Sequence, residues 1–171
     1  VNDDAAQALF CIFDGHGAHG HAVAEFMMLK LPELLAADAE RLSDDDDTEL
    51  CLSDAILLAD RMLPEQPDVD SSQSGSTVLM ALVRGDSLWI ANVGDSRAVL
   101  YTLEDGDDEW SYEQLNIEHR PKRAAERRRI LDAGGLVDEC GLLQTGLSSD
   151  TLACSRAVGD RVFRRFGVIP E

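Results

Sequence analysis

The sequence predicts an α+β fold with antiparallel sheets, and three features support this class. An apolar strand-like run near the amino end leads into helical periodicity. Several β-rich runs then follow at hairpin spacing, and a charged helix precedes a glycine-rich tail. Parallel neighbours would each need a crossover of about a dozen or more residues, which the short breaks between the runs do not allow. We expect a single domain over residues 1–171.

The first part of the chain predicts a strand and two helices. Ala8 to Phe13 is a short apolar run typical of a buried strand. Apolar residues recur at spacings of three and four from His21 to Ala37 and again from Leu50 to Leu63, which predicts helices. We expect Pro32 to kink or end the first helix and Pro64 to stop the second.

The middle of the chain predicts a run of strands. Their expected bounds are Ser76 to Val83, Ser87 to Val93, Arg97 to Leu103 and Trp110 to Ile117. The breaks between them are Arg84-Gly85-Asp86, Gly94-Asp95-Ser96 and the acidic segment Glu104 to Glu109. Links this short predict an antiparallel meander. A charged helix is then predicted from Lys122 to Ala133, ended by Gly134-Gly135, and the tail from Leu136 is strand-like in pieces.

Charge and composition exclude several kinds of partner. The 171 residues include 33 acidic and 15 basic ones, a formal net charge of −18. This balance repels nucleic acid and anionic membranes. No apolar window is long enough to span a bilayer, and the amino end lacks the pattern of a signal peptide. We therefore expect a soluble, monomeric, intracellular protein of the cytoplasm or the nucleus.

The cysteines indicate a reducing compartment. Cys11, Cys51, Cys140 and Cys154 are scattered, and no pair has the spacing of a zinc knuckle. Free thiols that pack as small apolar side chains are therefore expected.

Some charged segments are best explained as solvated surface. Ser43 to Thr48 contains consecutive aspartates, which cannot be buried, and should form an exposed loop. A calcium loop is not favoured, because Glu49 stands where that pattern needs glycine. His19 and His21 lie where a helix begins, which favours solvated histidines over metal ligands. In the basic cluster from Lys122 to Arg129, we expect a solvated helix face with Arg129 in a structural ion pair.

The most informative segment is Asp14-Gly15-His16-Gly17 at the end of the first predicted strand. A strand end followed by glycines exposes a carboxylate, a backbone carbonyl and an imidazole close together. Mg²⁺ and Mn²⁺ prefer carboxylate and carbonyl oxygens, so Asp14 with the Gly15 carbonyl makes half of a metal site. Taken alone, such a turn is also common in proteins without a metal.

This turn belongs to the first of several segments that occur in order along the chain. They are Phe10 to Gly17 (FCIFDGHG), Ser74 to Val78 (SGSTV), Ala91 to Leu100 (ANVGDSRAVL), Glu118 to Pro121 (EHRP) with Glu126, Arg129-Ile130 and then Ala133-Gly134-Gly135, Leu152 to Asp160 (LACSRAVGD), and Val168 to Glu171 (VIPE). Together they resemble the metal-dependent serine/threonine protein phosphatase family, type 2C, over about Ala8 to Glu171. Their order makes the resemblance specific.

The resemblance implies a β-sandwich of antiparallel sheets flanked by helices, with two Mn²⁺ or Mg²⁺ ions bridged by a water, and a third ion in some sites. It assigns Asp14 as the carboxylate shared by both metals, the Gly15 carbonyl as a further ligand, and His16 as the general acid. The implied reaction is hydrolysis of phosphoserine and phosphothreonine in proteins, without a phosphoenzyme. It also makes Gly94-Asp95-Ser96-Arg97 a structural turn and gives Ser76 and Ser155 packing roles.

Several departures from the family pattern bear on the metal site. Acidic ligands that the family places before Val1 and after Glu171 lie outside this sequence, so the domain is expected to be incomplete at both ends. Glu118 stands where the family has an aspartate that helps hold the third metal, and Ala18 replaces a glycine. The segment from Gly135 to Leu152 corresponds to a variable flap. We expect residues 1–171 alone to be inactive.

Two hypotheses remain open at this point. The first is part of an active protein phosphatase; the second is a catalytically dead relative that keeps the fold as a protein-binding module. Retention of Asp14 and His16 favours the enzyme, because a binding module needs neither.

Overall fold

The computed structural model describes residues 7–104, 108–146 and 150–171. The amino end, part of the predicted break from Glu104 to Glu109 and part of the expected flap lie outside the described residues. The strands are β1 Gln7–Ile12, β2 Gly15–His16, β3 Gly75–Ser76, β4 Val78–Arg84, β5 Ser87–Val93, β6 Val99–Thr102, β7 Ser111–Gln114, β8 Leu136–Val137, β9 Leu143–Gln144, β10 Thr151–Leu152 and β11 Val158–Gly159. The helices are α1 Gly20–Ala37, α2 Ala39–Leu42, α3 Thr48–Met62, α4 Ala124–Asp132 and α5 Arg161–Arg164, with a 3₁₀ turn at Leu63–Glu65.

The sheets are small and antiparallel. Their strand orders are β1-β4-β5, β2-β3-β11, β8-β9-β10 and the pair β6-β7. Helices α1 and α3 pack on one face of the β1-β4-β5 sheet, and the core between them contains Met27, Leu31, Leu52, Val78 and Met80. The predicted α+β class with antiparallel sheets flanked by helices is confirmed.

The prediction of one continuous meander was wrong in one respect. Strands β4 and β5 form one hairpin and β6 and β7 another, but β5 and β6 are not partners among the described residues. The reason lies in the segment after Gly94, which bonds to residues near β7: the His119 N–H donates to the Gly94 carbonyl at 2.9 Å, and the Leu115 N–H donates to the Ala98 carbonyl at 3.0 Å. These bonds turn the chain away from β5.

Helix α1 was predicted to kink or end at Pro32, and it does not end there. It runs on to Ala37, and Leu31 and Leu35 on either side of the proline are both buried in the core. Burial of this face therefore outweighs the loss of one backbone donor at the proline. The stop predicted near Pro64 is confirmed, because α3 ends at Met62 and a 3₁₀ turn follows.

Helix α4 is tied to the carboxyl-terminal part of the chain by a buried charge cluster. Glu126 is 3% exposed and accepts hydrogen bonds from Arg129 Nη2 at 2.7 Å, Arg156 Nη2 at 2.7 Å and Ser155 Oγ at 2.5 Å. The predicted structural ion pair of Arg129 is therefore confirmed. Burial alone would raise the pKa of Glu126, but the bonds from these three groups outweigh it and hold the pKa far below its ordinary value.

The outer face of the β1-β4-β5 sheet is less covered. Phe10 and Ile12 are 63% and 61% exposed, and a hollow of about 270 Å³ lies between this face and Leu100 and Leu115 near the β6-β7 hairpin. All four cysteines are free thiols, and Cys51 and Cys154 are buried while Cys140 is exposed. Within the described ranges, no helix is both long and apolar enough to cross a membrane.

Candidate active site

The turn singled out in the sequence lies between β1 and the short strand β2. The Asp14 N–H donates to Thr77 Oγ1 at 3.0 Å, and the Thr77 N–H donates back to the Asp14 carbonyl at 3.0 Å. This reciprocal pair fixes the backbone of Asp14 to the start of β4, and Thr77 in turn bonds Ser96 at 2.8 Å. The carboxylate of Asp14 has no hydrogen bond or ion pair within the described part of the chain, so its oxygens are free for a ligand.

The next two residues belong to a three-stranded sheet whose middle strand, β3, has only two residues. Gly15 lies opposite Ser76, and His16 lies opposite Gly75. On the other edge of β3, Val158 pairs with Ser76 and Gly159 pairs with Gly75. The register therefore brings His16 and the residue after Gly159 to the same end of the sheet.

That residue is Asp160, and it contacts His16 directly. The His16 Nε2 atom lies 2.5 Å from Asp160 Oδ2. Asp160 is 1% exposed and has a positive φ of 47°, a conformation that is strained for a side chain other than glycine. Its second oxygen, Oδ1, is buried without a hydrogen-bond partner in the described residues. A strained, buried and half-satisfied carboxylate is typical of a functional site.

Glycine at position 75 makes this contact possible. A Cβ there would lie 2.4 Å from Asp160 Oδ2 and 2.6 Å from the Val158 carbonyl oxygen. A second close approach lies behind the turn, where a Cβ on Gly15 would come within 2.3 Å of the Gly20 carbonyl oxygen. The start of α1 is therefore packed against the backbone of the Asp14 turn.

The environment of His16 favours its charged form. Burial lowers the pKa of the imidazole, but the hydrogen bond that the ring donates to Asp160, the negative charges of Asp160 and Asp14 and the backbone of Asp14 together raise it above its ordinary value. The side chain is 27% exposed. The charged form of His16 is therefore favoured and the side chain has access to solvent, which suits a general acid.

These residues face a cavity of about 620 Å³. Its polar lining includes Asp14, His16, Thr77, Asp95 and Asp160. Cys154 also lines the cavity. Burial raises the pKa of its thiol well above the ordinary value, so the thiol stays protonated and does not act as a nucleophile.

Comparison with known proteins identifies the family. The family model described as protein phosphatase 2C matches residues 2–171. The chain is 35% identical over 181 residues to "Probable protein phosphatase 2C 41" of Arabidopsis thaliana, covering 95% of this chain and 52% of the relative. It is 34% identical over 167 residues to "Protein phosphatase 1L" of Bos taurus, covering 95% of this chain and 44% of the relative.

The chain belongs to the protein phosphatase 2C family. The fold agrees: a serine-threonine phosphatase 2C from Toxoplasma gondii matches with a TM-score of 0.77 at 19% identity, over 99% of this chain and 63% of that one. A sex-determining protein of C. elegans matches with a TM-score of 0.72 at 26% identity, over 94% of this chain and 38% of that one. The chain spans about half the length of the curated relatives it matches.

Membership in the protein phosphatase 2C family implies a metal-dependent reaction, and the donors present fit half of such a site. Asp14 supplies an unpaired carboxylate that lines the cavity, whereas Gly15 is an exposed residue with a backbone carbonyl but is not among the residues that line the cavity. Carboxylate and carbonyl oxygens are both hard donors. Within residues 7–104, 108–146 and 150–171, no group of three or more acidic, histidine or cysteine side chains is placed to hold a metal ion. The described residues thus provide ligands on one side of the site.

Glu118 was the third residue predicted to bind metal, and the structure places it elsewhere. It is 9% exposed and pairs with Arg97 and with Arg120 Nε at 2.7 Å. Hydrogen bonds from Arg120 and Arg97 lower the pKa of its carboxyl, against the opposing effect of burial. It does not line the cavity, but Arg120 also contacts Asp95, which does, at 3.2 Å. These contacts favour a structural role, and the metal role of Glu118 stays a prediction that they do not support.

The residues expected to be structural are placed accordingly. His19 and His21 are exposed at the start of α1, although His19 also lies at the rim of the cavity. Gly94 has a φ of 111° and forms the predicted bend. Ser76 and Ser155 are both buried and donate to Thr77 and Glu126.

The sequence analysis missed Asp160 as a site residue. It was quoted in a family segment but given no role, because its partner His16 lies 144 positions away. The pair Gly159-Asp160 gave no distinct signal, because Gly85-Asp86 and Gly94-Asp95 carry the same two residues at predicted turns.

Proposed function

We propose that the full-length protein hydrolyses phosphoserine and phosphothreonine in proteins, with His16 as the general acid and Asp14 and Gly15 as ligands to Mn²⁺ or Mg²⁺. The observation that carries the proposal is the contact of His16 with the buried Asp160, in the same cavity as the unpaired carboxylate of Asp14. Family membership supports the same reaction. Residues 1–171 would then be part of one catalytic domain whose other ligands come from outside the described residues.

The chemistry assigns a distinct task to each residue. Divalent cations, when bound, neutralise phosphate charge and make a water more acidic. In the hydrolysis a water oxygen bonds to phosphorus, the bond from phosphorus to the serine or threonine oxygen breaks, and the leaving oxygen takes a proton. His16 provides this proton from the ring nitrogen that Asp160 does not bind, so the neutral ring keeps its remaining proton on Nε2, against Asp160.

The acidic surface and the family also set the expected partners and compartment. We propose phosphorylated proteins as substrates of a monomeric, intracellular enzyme, acting in the cytoplasm or the nucleus. Free cysteines are consistent with a reducing compartment.

The deciding experiment compares two substrates. Expulsion of a serine or threonine alkoxide needs protonation, whereas nitrophenolate is a stable anion and leaves unaided. His16→Gln in the full-length protein should therefore lower kcat for a phosphothreonine peptide by roughly 10²- to 10⁴-fold, and lower kcat for p-nitrophenyl phosphate much less. His21→Gln is the matched control, since His21 is exposed on α1 near the same turn.

Three results would argue against the proposal. Equal losses on both substrates would remove the general-acid role. If the wild-type protein with Mn²⁺ hydrolyses neither substrate, the enzyme hypothesis is rejected and a binding module is favoured. Equal effects of the His16 and His21 variants would point to a general disturbance of α1.

A further inference from the structure

A group of arginines lies beside the candidate active site on an otherwise acidic protein. Arg161, Arg164 and Arg165 come directly after Asp160, and Arg61 lies in the last turn of α3. We call these four residues the arginine patch. They line two shallow hollows of about 380 and 360 Å³ that share Arg161. The four arginines are thus a cluster of positive side chains on a chain with a net charge of −18, although Asp60 lines one of the hollows and Asp70 is bonded to Ser72 at the other.

Most of the patch is not neutralised. Arg164 pairs with Asp60 at 2.5 Å and also donates to the Gly159 carbonyl, so its role is structural. Within the described ranges, Arg61, Arg161 and Arg165 have no carboxylate partner, although Arg165 lies over the Phe166 ring at 4.7 Å. Arg61, Arg161 and Arg165 are all exposed. Exposed guanidinium groups without partners are ready to bind carboxylates or phosphates in a bidentate manner.

The patch is fixed relative to the cavity. The Arg161 N–H donates to the Ser71 carbonyl at 3.2 Å, and the Val162 N–H donates to the Ser72 carbonyl at 3.0 Å. The neighbouring residues Gln73 and Ser74 line the cavity, as does Phe163 of α5. A substrate peptide whose phosphorylated residue lies against His16 would therefore pass close to Arg161.

We propose that the arginine patch binds negatively charged residues that flank the phosphorylated position of a protein substrate. A strongly acidic enzyme repels acidic phosphoproteins, and a local cationic surface beside the cavity offsets this repulsion where the substrate docks. The proposal rests on the proposed function, since it takes the cavity as the site of the phosphorylated residue. Carboxylates and a second phosphate share the required chemistry.

The test uses the full-length protein and three phosphothreonine peptides of one length. One peptide is flanked by glutamates, one by glutamines and one carries a second phosphoserine among glutamines. For Arg161→Glu combined with Arg165→Glu, we expect KM for the glutamate peptide to rise roughly tenfold, from two exposed contacts of about 0.7 kcal/mol each. The glutamine peptide, kcat and p-nitrophenyl phosphate turnover should change little, and the effect should disappear at high salt. A similar rise for the third peptide would show that the patch also accepts phosphate.

The control is Arg127→Glu, which reverses an exposed charge on α4. A KM rise of the same size in this control, an equal effect on the glutamate and glutamine peptides, or no effect on either would overturn the proposal. Direct binding of fluorescent peptides to the same variants by anisotropy keeps the test independent of turnover. If the wild type hydrolyses no substrate but still prefers the glutamate peptide in this assay, the proposed function fails and the patch stands.

Discussion

The Nε2 atom of His16 meets Asp160 Oδ2 at 2.5 Å although the two residues lie 144 positions apart in the sequence. The contact exists because β2 and β11 both pair with β3, which brings the ends of two distant segments together. The imidazole is thereby oriented and its charged form is favoured, as a histidine next to a carboxylate usually is.

The Asp160→Asn variant should show whether Asp160 orients the His16 ring for catalysis or only supports the fold. The amide keeps the size of the side chain but removes its negative charge, so kcat for a phosphothreonine peptide should fall roughly 10- to 100-fold while p-nitrophenyl phosphate turnover falls less. Ring-nitrogen NMR provides a second readout, with the His16 signals assigned by comparison with the His16→Gln variant. In the wild type, neutral His16 should carry its proton on Nε2, and this preference should weaken in the variant. An unchanged ring spectrum would contradict the assignment.

Gly75→Ala should disturb the same contact from the other side. The new Cβ would meet Asp160 Oδ2 at 2.4 Å, so either the carboxylate or β11 must move, at a cost of about 1–3 kcal/mol in the free energy of unfolding. We expect the phosphopeptide defect of Asp160→Asn together with lower stability, measured by urea denaturation. Gly134→Ala is the control: its φ of 81° costs about 1 kcal/mol, but no atom lies within 4 Å of the added carbon. Normal phosphopeptide turnover by Gly75→Ala would show that the tight fit is unimportant.

Asp14→Asn should weaken metal binding without unfolding the protein, because the carboxylate has no partner to lose within the described residues. In calorimetric titration of the full-length protein with MnCl₂, the affinity should fall by more than the roughly 10- to 100-fold that loss of an outer-shell partner costs. Asp70→Asn is the control, since Asp70 lines the same cavity but is bonded to Ser72 at 2.9 Å. Equal Mn²⁺ affinities in wild type and Asp14→Asn would refute the ligand role.

Glu126→Gln should destabilise the fold by about 3 kcal/mol at pH 7, because it leaves Arg129 and Arg156 without their shared buried carboxylate. The folded-state pKa of Glu126 is lowered from an ordinary 4.5, so its stabilisation is present above pH 4.5 and is lost as the pH falls below it. The difference between wild type and variant should therefore shrink by about 1.4 kcal/mol per pH unit below that value.

The control for this pH series is Asp132→Asn in the same helix, which breaks the exposed pair with Arg128 at 3.0 Å and should cost less than about 1 kcal/mol at any pH. Urea denaturation between pH 3 and pH 7 measures both variants. A constant difference between wild type and Glu126→Gln across this range would show that the carboxylate is not the stabilising group.

The sequence predicted the parts of the site that depend on neighbouring residues. The Asp14 turn follows from an apolar strand that ends in glycines, and the helix bounds follow from periodicity, so both could be predicted. The site also depends on strands of two residues each, which are too short to leave a pattern. Asp160 was therefore missed. The metal role of Glu118 rests on resemblance and stays a prediction, since its contacts with Arg97 and Arg120 favour a structural role. The two separate hairpins likewise depend on hydrogen bonds that the carbonyls of Gly94 and Ala98 accept, which no local pattern encodes.

The independence of the β6-β7 hairpin from the sheet that joins His16 and Asp160 also determines where the chain can be engineered. The connection between Thr102 and Ser111 could receive a foreign domain or a long linker, since the cost of closing a longer loop grows only slowly with its length. A lengthening between Gly159 and Asp160 by even one residue would instead move the carboxylate out of reach of the ring. Among relatives, differences in length should accordingly be concentrated between Thr102 and Ser111 and absent between Gly159 and Asp160.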